Sequence, residues 1–429
     1  MTEQQLCVFS NLPPLKPVGA LITNPKERSA ILARLAELYG CRTIRGFPGS
    51  QPVSIESGDI KTLHSKTFKV SLKSDGHRYL LLMMILDGEP RAVMISRRLD
   101  MHEIESIWAP QSYFEKNGGT LLDGELVWEQ RPGNQLSHLF LIFDIVAARE
   151  RLTHLTFSER LTRIHRHVLS ELPARASTSD KNVETLLCDE DKMYLAAHKM
   201  RMAPKRFVPF DSASDLWSQR GMCMWKNDGL IFMSDDTPLQ KGTDRSAFKW
   251  KPVNSISIDI AISPLQHVMV QHKGVPMELS FIELFGITRR VVLENNGLVK
   301  CVGHSDASVL ECTCTVDETD VVFTPIKYRL DKTMPNDIHT VTKTLENVLE
   351  AIDESEIFGV GARATMKTTT KSPQIMCGIP ETASVGGDAS VNAGDEVASR
   401  ITQHKRDAAC EARGVQTRRA VLRAKVQSM

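Results

Sequence analysis

The chain is poor in the features that would betray a function at once. Of its 429 residues only 6% are aromatic, 53 Lys and Arg are balanced by 52 Asp and Glu, and the formal net charge is +1. A global positive excess that would hold nucleic acid non-specifically is therefore excluded, and any such contact must come from a local patch. The most apolar stretches, Tyr79 to Leu86 and Leu139 to Ala148, are far shorter than a membrane span. Met1 to Asn11 lacks the basic-then-apolar pattern of a secretory leader, so neither a membrane partner nor secretion is expected. Nine cysteines recur at no regular spacing, which suits buried or idle thiols in a reducing compartment, cytosol or nucleus, better than a disulfide frame. There is no internal repeat, and the length allows two or three domains.

Asn24, Pro25 and Glu27 have the order of N-cap, N1 and N3, and Ile31, Leu32, Leu35 and Leu38 recur at helical spacing up to Gly40. From about Phe47 to Pro252 the pattern is mainly of strands, some alternating (Phe68 to Lys73) and some continuously apolar (Tyr79 to Leu86, Leu139 to Val146), as in a sheet buried on both faces. Within this block Ser158 opens a helix carrying Leu161, Ile164, Val168 and Leu169, and the polar run Ala174 to Asn182 reads as a loop. Beyond Pro252, five short runs (Ile256–Ile262, Val268–Gln271, Leu279–Phe285, Arg290–Leu293, Val321–Leu330) suggest a small barrel, followed by a helix from Asp337 to Ile352. The expected organisation is an α+β catalytic unit over 1–252, a barrel with its following helix over 253–353, and a disordered, basic-ended tail over 354–429. From Arg400 to Met429 that tail carries eight basic residues against two acidic ones, as fits a nuclear address, an RNA-grazing arm or plain solvation.

The informative local feature is Lys73-Ser-Asp-Gly-His-Arg78. Alternation puts Phe68, Val70 and Leu72 on one strand face and Lys69, Ser71 and Lys73 on the other, so Lys73 ends a strand on its polar side. Taken alone the hexapeptide reads as an ordinary Asp-Gly hairpin. Three further clusters change that reading. Asp123 and Glu125 share a face and could hold Mg²⁺; Asp228 begins another strand; Lys249 and Lys251 share a face, with Phe248 and Trp250 opposite. A strand-end lysine, carboxylates and a lysine pair are the parts needed to transfer a nucleotidyl group through a lysine adduct.

The series Lys73-Ser-Asp-Gly-His-Arg78, Asp123-Gly-Glu125, Leu141-Ile-Phe143-Asp144, Asp228-Gly-Leu-Ile231, Phe248-Lys-Trp-Lys251 and Arg329-Leu-Asp331-Lys332-Thr-Met-Pro335-Asn336 resembles the ordered motifs of the covalent nucleotidyltransferases. More narrowly it resembles the guanylyltransferases of eukaryotic-type mRNA capping, through Phe47-Pro-Gly-Ser-Gln-Pro-Val-Ser54 and the form of the last motif. Asn227 and Phe323 depart from the usual pattern without touching the expected chemistry. The resemblance implies an ATP-grasp-like nucleotidyltransferase domain of antiparallel sheets and a C-terminal OB-fold lid. It implies that Lys73 takes GMP from GTP and passes it to a 5′-diphosphate RNA end. Arg78 and Glu125 would lie near ribose and metal, Phe143 on the guanine, Asp228 with Glu125 at Mg²⁺ or Mn²⁺, and Lys249 and Lys251 on the α-phosphate. Arg329, Asp331 and Lys332 would orient the pyrophosphate. A separate RNA triphosphatase and the phosphorylated RNA polymerase II tail are the implied partners, in the nucleus or, for a viral protein, the cytoplasm.

The short N-terminal arm and the absence of a His-Cys dipeptide or glycine-rich methyltransferase loop lead to the expectation of a stand-alone guanylyltransferase. The alternatives are an ATP-dependent polynucleotide ligase of the same superfamily and a non-catalytic capping-like scaffold. His165 and His167, two apart on a helix, point to different faces, and Cys312 and Cys314 have no second pair, so neither set is read as a metal site.

Overall fold

The computed structural model describes residues 12–104, 111–114, 119–131, 135–169, 200–296, 309–329 and 332–359. In chain order its strands are β1 (Ala20–Leu21), β2 (Gln51–Ser54), β3 (Phe68–Ser74), β4 (His77–Leu86), β5 (Glu89–Ser96), β6 (Met101–Glu103), β7 (Thr120–Arg131), β8 (Gln135–Ala148), β9 (Glu150–Arg151), β10 (Met200–Pro204), β11 (Val208–Pro209), β12 (Asn227–Ser234) and β13 (Thr243–Trp250). After Pro252 come β14 (Ser257–Ile262), β15 (Val268–His272), β16 (Val275–Glu278), β17 (Phe281–Leu284), β18 (Ile287–Leu293), β19 (Val309–Val316) and β20 (Asp320–Tyr328). They form three sheets: β1-β6-β5-β4-β7-β8-β10 with β9 on β8, β11-β3-β12-β13-β2, and β16-β15-β14-β19-β20-β18-β17.

The first sheet is buried on both faces, as its unbroken apolar runs require. Along β4, Leu81 and Met83 pack with Phe140 and Ile142 on one side, while Leu80 and Leu82 pack on the other with Ile31, Leu35 and Leu38 of α1 (Pro25–Tyr39). That helix has the predicted ends: the Asn24 side chain accepts from the Lys26 N–H, and Gly40 closes it at φ 63°. The helix expected from Ser158 is α3 (Phe157–Arg163), after α2 (Ile60–Ser65) in chain order. It starts one residue earlier, because Thr156 and Glu159 make a reciprocal capping box there. Residues 164–169 continue it as a π-helix, with His165 exposed. The loop expected over Ala174 to Asn182, the side chain of His167 and the basic stretch Arg400 to Met429 lie outside the described residues.

The structure corrects the hairpin reading of Asp75-Gly76. β3 pairs with β11 and β12, whereas β4 pairs with β5 and β7, so these two residues carry the chain from the second sheet to the first. Gly76 makes the crossing possible: a Cβ there would lie 2.2 Å from the Leu126 carbonyl oxygen of β7. Two other extended runs escaped the sequence pattern. The third sheet has seven strands rather than five, the additional ones being β16 and β19, and among the described residues its pairing path runs open from β16 to β17.

Helix α5 (Ile338–Glu350) follows α4 (Ala213–Ser218) in chain order, is capped by Asp337, and buries Val341 and Leu345 in the core of the third sheet. Residues 354–358, assigned by sequence to the disordered tail, form α6 (Glu354–Phe358). Ile352 and Ile357 pack into the core of the second sheet, Trp250 Nε1 donates to the Ile352 carbonyl at 2.9 Å, and Trp217 Nε1 donates to Glu354 at 2.8 Å. The composition of the tail, poor in large apolar residues, hid this short return. Among the described residues no helix is long and apolar enough to cross a membrane.

Candidate active site

Lys73 is the second-to-last residue of β3, half-buried where the chain leaves the second sheet. Its Nζ donates to Asp228 Oδ1 at 2.8 Å, and Lys251 Nζ lies 2.5 Å from Oδ2 of the same carboxylate. The local backbone creates this bridge. A bulge on β12 between Asn227 and Gly229, opposite Ser74 and Lys73, leaves Asp228 out of the ladder and free to aim its side chain. Gly229 itself lies between the two lysine-bearing strands, and a Cβ there would be 2.0 Å from the Trp250 carbonyl oxygen and 3.2 Å from Lys251 Cγ. Phe248 and Trp250 are buried while Lys249 and Lys251 face the cleft, as the alternation predicts.

That cleft, about 420 Å³, is lined by Lys73, Arg97, Lys249, Lys251 and, from the third sheet, Lys332. Burial pushes the Lys249 ammonium below its ordinary range, and the nearby charges of Lys73, Lys251 and Arg97 add to the shift. The lysine that most needs a negative partner thus faces a wall of like charge, which an anion such as a polyphosphate would neutralise. Lys332 ion-pairs with Asp259 on β14, and Arg329 Nη1 donates to the same carboxylate at 3.0 Å. Arg329 is thereby attached to the third sheet and does not line the cleft. Asp331 lies outside the described residues.

On the first sheet, Arg78 and Glu125 are cross-strand partners on β4 and β7. Arg78 is fully engaged: Nε and Nη2 donate to Asp123 at 2.9 and 2.6 Å, and Nη1 donates to the Ser50 carbonyl at 2.5 Å. Its guanidinium also sits 5.0 Å from the ring centroids of both Phe47 and Phe143. Asp123 is 2% exposed and held by Arg78, so of the two carboxylates read as metal-binding only Glu125 remains available. Burial pushes the Glu125 carboxyl up, against the opposing pull of Lys205, Lys73 and Arg78. Phe143 is the extra residue of a second bulge, between the Asp123 and Gly124 pairings of β8, and remains half-buried. Asp144, the cross-strand partner of Asp123, is bound at both oxygens by Arg160, at 2.7 and 3.0 Å.

Lys205 belongs to the site and was not read from the sequence. It follows β10, its Nζ is 5.8 Å from the Phe143 ring centroid, and burial lowers its pKa to about 8 despite the attraction of Glu125. A lone lysine after a strand carries no pattern, and only the parallel β8–β10 pairing brings it beside Phe143. Arg97, Asp259 and Arg160 were missed for the same reason. Glu125 and Asp228 are two hard oxygen donors, one raised by burial and the other shared by two ammonium groups. This fits an ion such as Mg²⁺ that takes one or two carboxylates and completes its shell with phosphate oxygens and water.

Comparison with known proteins agrees with this geometry. The family model described as "mRNA capping enzyme, catalytic domain" matches residues 18–253, more than half of the chain. The chain is 30% identical over 251 residues to the mRNA-capping enzyme subunit alpha of Schizosaccharomyces pombe, covering 56% of this chain and 58% of that protein. It is 26% identical over 371 residues to the mRNA-capping enzyme of Danio rerio, covering 84% of this chain and 56% of that protein. The chain thus spans a little over half the length of these relatives. Among solved structures, a mycobacterial DNA ligase D complexed with ATP and MES aligns over 67% of this chain and 96% of that one, at 14% identity and a TM-score of 0.32, too low to establish a shared fold. On the strength of the matched catalytic domain, the chain belongs to the mRNA capping enzyme family.

Proposed function

We propose that this chain is an mRNA guanylyltransferase that transfers GMP from GTP, through a lysyl-N-GMP adduct on Lys73, to the 5′-diphosphate end of RNA. The observation that carries the reading is Lys73 at the sheet crossing, hydrogen-bonded to Asp228 and opening on a cleft lined by Arg97, Lys249, Lys251 and Lys332. In the first step the Nζ electron pair attacks the α-phosphorus, a P–N bond forms, the α–β P–O bond breaks and pyrophosphate leaves. Starting from the ammonium, Lys73 gives up two protons, one to solvent before attack to free the electron pair and one along the hydrogen bond to Asp228 as the P–N bond forms. In the second step a β-phosphate oxygen of the RNA attacks the same phosphorus, the P–N bond breaks as Nζ takes a proton back from Asp228, and a further proton from solvent restores the Lys73 ammonium.

Such transfers are accelerated mainly by positioning and by cations placed where negative charge gathers. Lys249 and Lys251 are positioned for the α-phosphate, and Lys332 for the departing pyrophosphate from the facing side. Phe143 offers a half-buried ring for a base, between Arg78 and Lys205. Arg78 acts by fixing the loop of Phe47 and Ser50 against Asp123. Glu125 and Asp228 would hold Mg²⁺ or Mn²⁺ with the substrate's phosphate oxygens, and the ion would supply charge neutralisation at the α-phosphate. We read the third sheet as an OB-fold lid over this cleft, a separate RNA triphosphatase and the RNA polymerase II tail as partners, and the nucleus as the setting. Lys332, Ser257 on β14 and Thr344 and Asn347 on α5 support the lid assignment, since they line the same cleft as Lys73, Lys249 and Lys251 of the second sheet.

The test is to incubate the protein with Mg²⁺ and GTP or ATP labelled at the α-phosphate and to look for label surviving denaturing electrophoresis. A GTP-specific, acid-labile, pyrophosphate-reversible adduct absent from Lys73→Ala is expected. An adduct that persists in Lys73→Ala, or one formed only from ATP, would overturn the proposal.

A further inference from the structure

We propose that His272, Asp337 and His339 form a binding site for a late first-row divalent cation of the Zn²⁺ type, fastening the start of α5 to the end of β15. The three side chains come from two elements and present ligand atoms that all lie within 4.8 Å of one another. In a tetrahedral zinc site with bonds of 2.0–2.1 Å, neighbouring ligand atoms are about 3.3 Å apart. Small side-chain rotations would close the difference, with no backbone movement.

Three observations support a ligand here beyond mere proximity. His272 Nδ1 is buried and has no hydrogen-bond partner, an expensive condition for an imidazole nitrogen and one a metal bond would relieve. The backbone on both sides is fixed. His272 ends β15 at a two-residue turn, Lys273-Gly274, with φ of 50° and 85°, while Asp337 caps α5 by accepting from the His339 N–H and also accepts from the Lys273 N–H of that turn, each at 3.0 Å. The imidazoles of His272 and His339 meet edge to face, with centroids 5.6 Å apart. Asp337 keeps lone pairs beyond the two that its cap uses. Two imidazoles and one carboxylate, with a fourth position open at exposed His339, are donors that suit Zn²⁺ and its neighbours and not Mg²⁺.

The site is separate from Glu125 and Asp228, and its position has a structural meaning. Asp337 directly follows the segment carrying Arg329 and Lys332. That segment is already held by Asn336, whose N–H donates to the Asp259 carbonyl at 2.8 Å, and by the Gln271 side chain on the Pro335 carbonyl at 3.1 Å. A bound cation would add a third fastening at its end.

The experiment uses the full chain, stripped with chelator and then titrated with Co²⁺ in millimolar Mg²⁺, so that hard-oxygen sites are already filled. The expected result is tetrahedral d–d bands saturating at one Co²⁺ per chain, without the near-ultraviolet thiolate charge-transfer band of a cysteine site, and bleached by one equivalent of Zn²⁺. His272→Ala and His339→Ala should each weaken Co²⁺ binding at least about tenfold, and Zn²⁺ should raise the unfolding temperature of the parent but not of the variants. If His272→Ala fails to fold, His339→Ala decides alone, because its exposed side chain can be removed from the first turn of α5 without opening the core. Absence of bands at equimolar Co²⁺, or bands of undiminished affinity in His339→Ala, would overturn the proposal.

Discussion

Replacing Arg78 by Met should unfold the first sheet more than it disturbs a nucleotide contact. The Arg78–Asp123 pair is 12% and 2% exposed, and Arg78 makes three hydrogen bonds, two to the carboxylate and one to the Ser50 carbonyl. Removing one partner of a buried pair leaves an uncompensated charge and costs about 3–5 kcal/mol. At an m-value of about 2–3 kcal/mol per M, the urea midpoint should fall by about 1–2.5 M. The loss carries a pH signature. Burial already raises the Asp123 carboxyl above its ordinary value even though Arg78 pulls it down, so without Arg78 it rises further. A carboxyl with a raised folded-state pKa binds its proton more tightly in the folded chain, so stability falls as pH rises through the window from the unfolded value to the folded one. The deficit of Arg78→Met should therefore be largest at pH 8 and shrink towards pH 5, and adding Asp123→Asn should remove most of this pH dependence. Urea unfolding followed by tryptophan fluorescence at pH 5, 6.5 and 8 measures all three variants. A deficit below about 0.5 kcal/mol, or one equal at pH 5 and pH 8, would refute the structural role of Arg78.

Gly229→Val places a side chain against the Trp250 carbonyl and Lys251, so adduct formation should fall at least tenfold at saturating GTP, with the urea midpoint lowered as well. Lys205, lowered to about 8 from an unfolded value near 10.5, holds its proton less tightly when folded. Stability should therefore gain as pH rises from 8 to 10.5, and Lys205→Met should flatten that gain in urea midpoints taken across the window. Ile357→Ala, at a fully buried position of α6, should cost about 2–5 kcal/mol in the same assay. Asp228→Asn should leave the fold intact by circular dichroism while reducing the rate of adduct formation by at least about a hundredfold.

Local patterns were legible where the physics is local. The caps of α1, the two-faced burial of β4 and the division of Phe248-Lys249-Trp250-Lys251 between core and cleft all follow from spacing within a few residues. What the sequence withheld is long-range. Asp-Gly serves a hairpin and a crossing between sheets equally well, and only the partners of β3 and β4 distinguish them. The bulges that expel Asp228 and Phe143 from their ladders depend on register with distant strands. Asp259 could not be matched with Lys332, 73 residues later, before the third sheet was assembled. Asp123, read as half of a metal pair, turned out to be the counter-ion of Arg78, because period-two alternation gives the face of a residue and not its partner.

The return of the chain after α5 bears on how the third sheet can move. It is joined to the second sheet in two places: covalently through 251–256, and again through 351–358, where Ile352 and Ile357 are embedded in the second sheet's core. A body held at one point can turn about three axes, whereas one held at two can turn only about the line through both. Among the described residues, Lys343 of α5 pairs with Glu56 at 2.7 Å and, beside the second connection, the Ser57 N–H donates to Glu350 at 3.2 Å; partly exposed polar contacts of this kind give way at little cost. Any displacement of Lys332 relative to Lys73 would therefore have to pivot on these two connections together, as a door does on two pins.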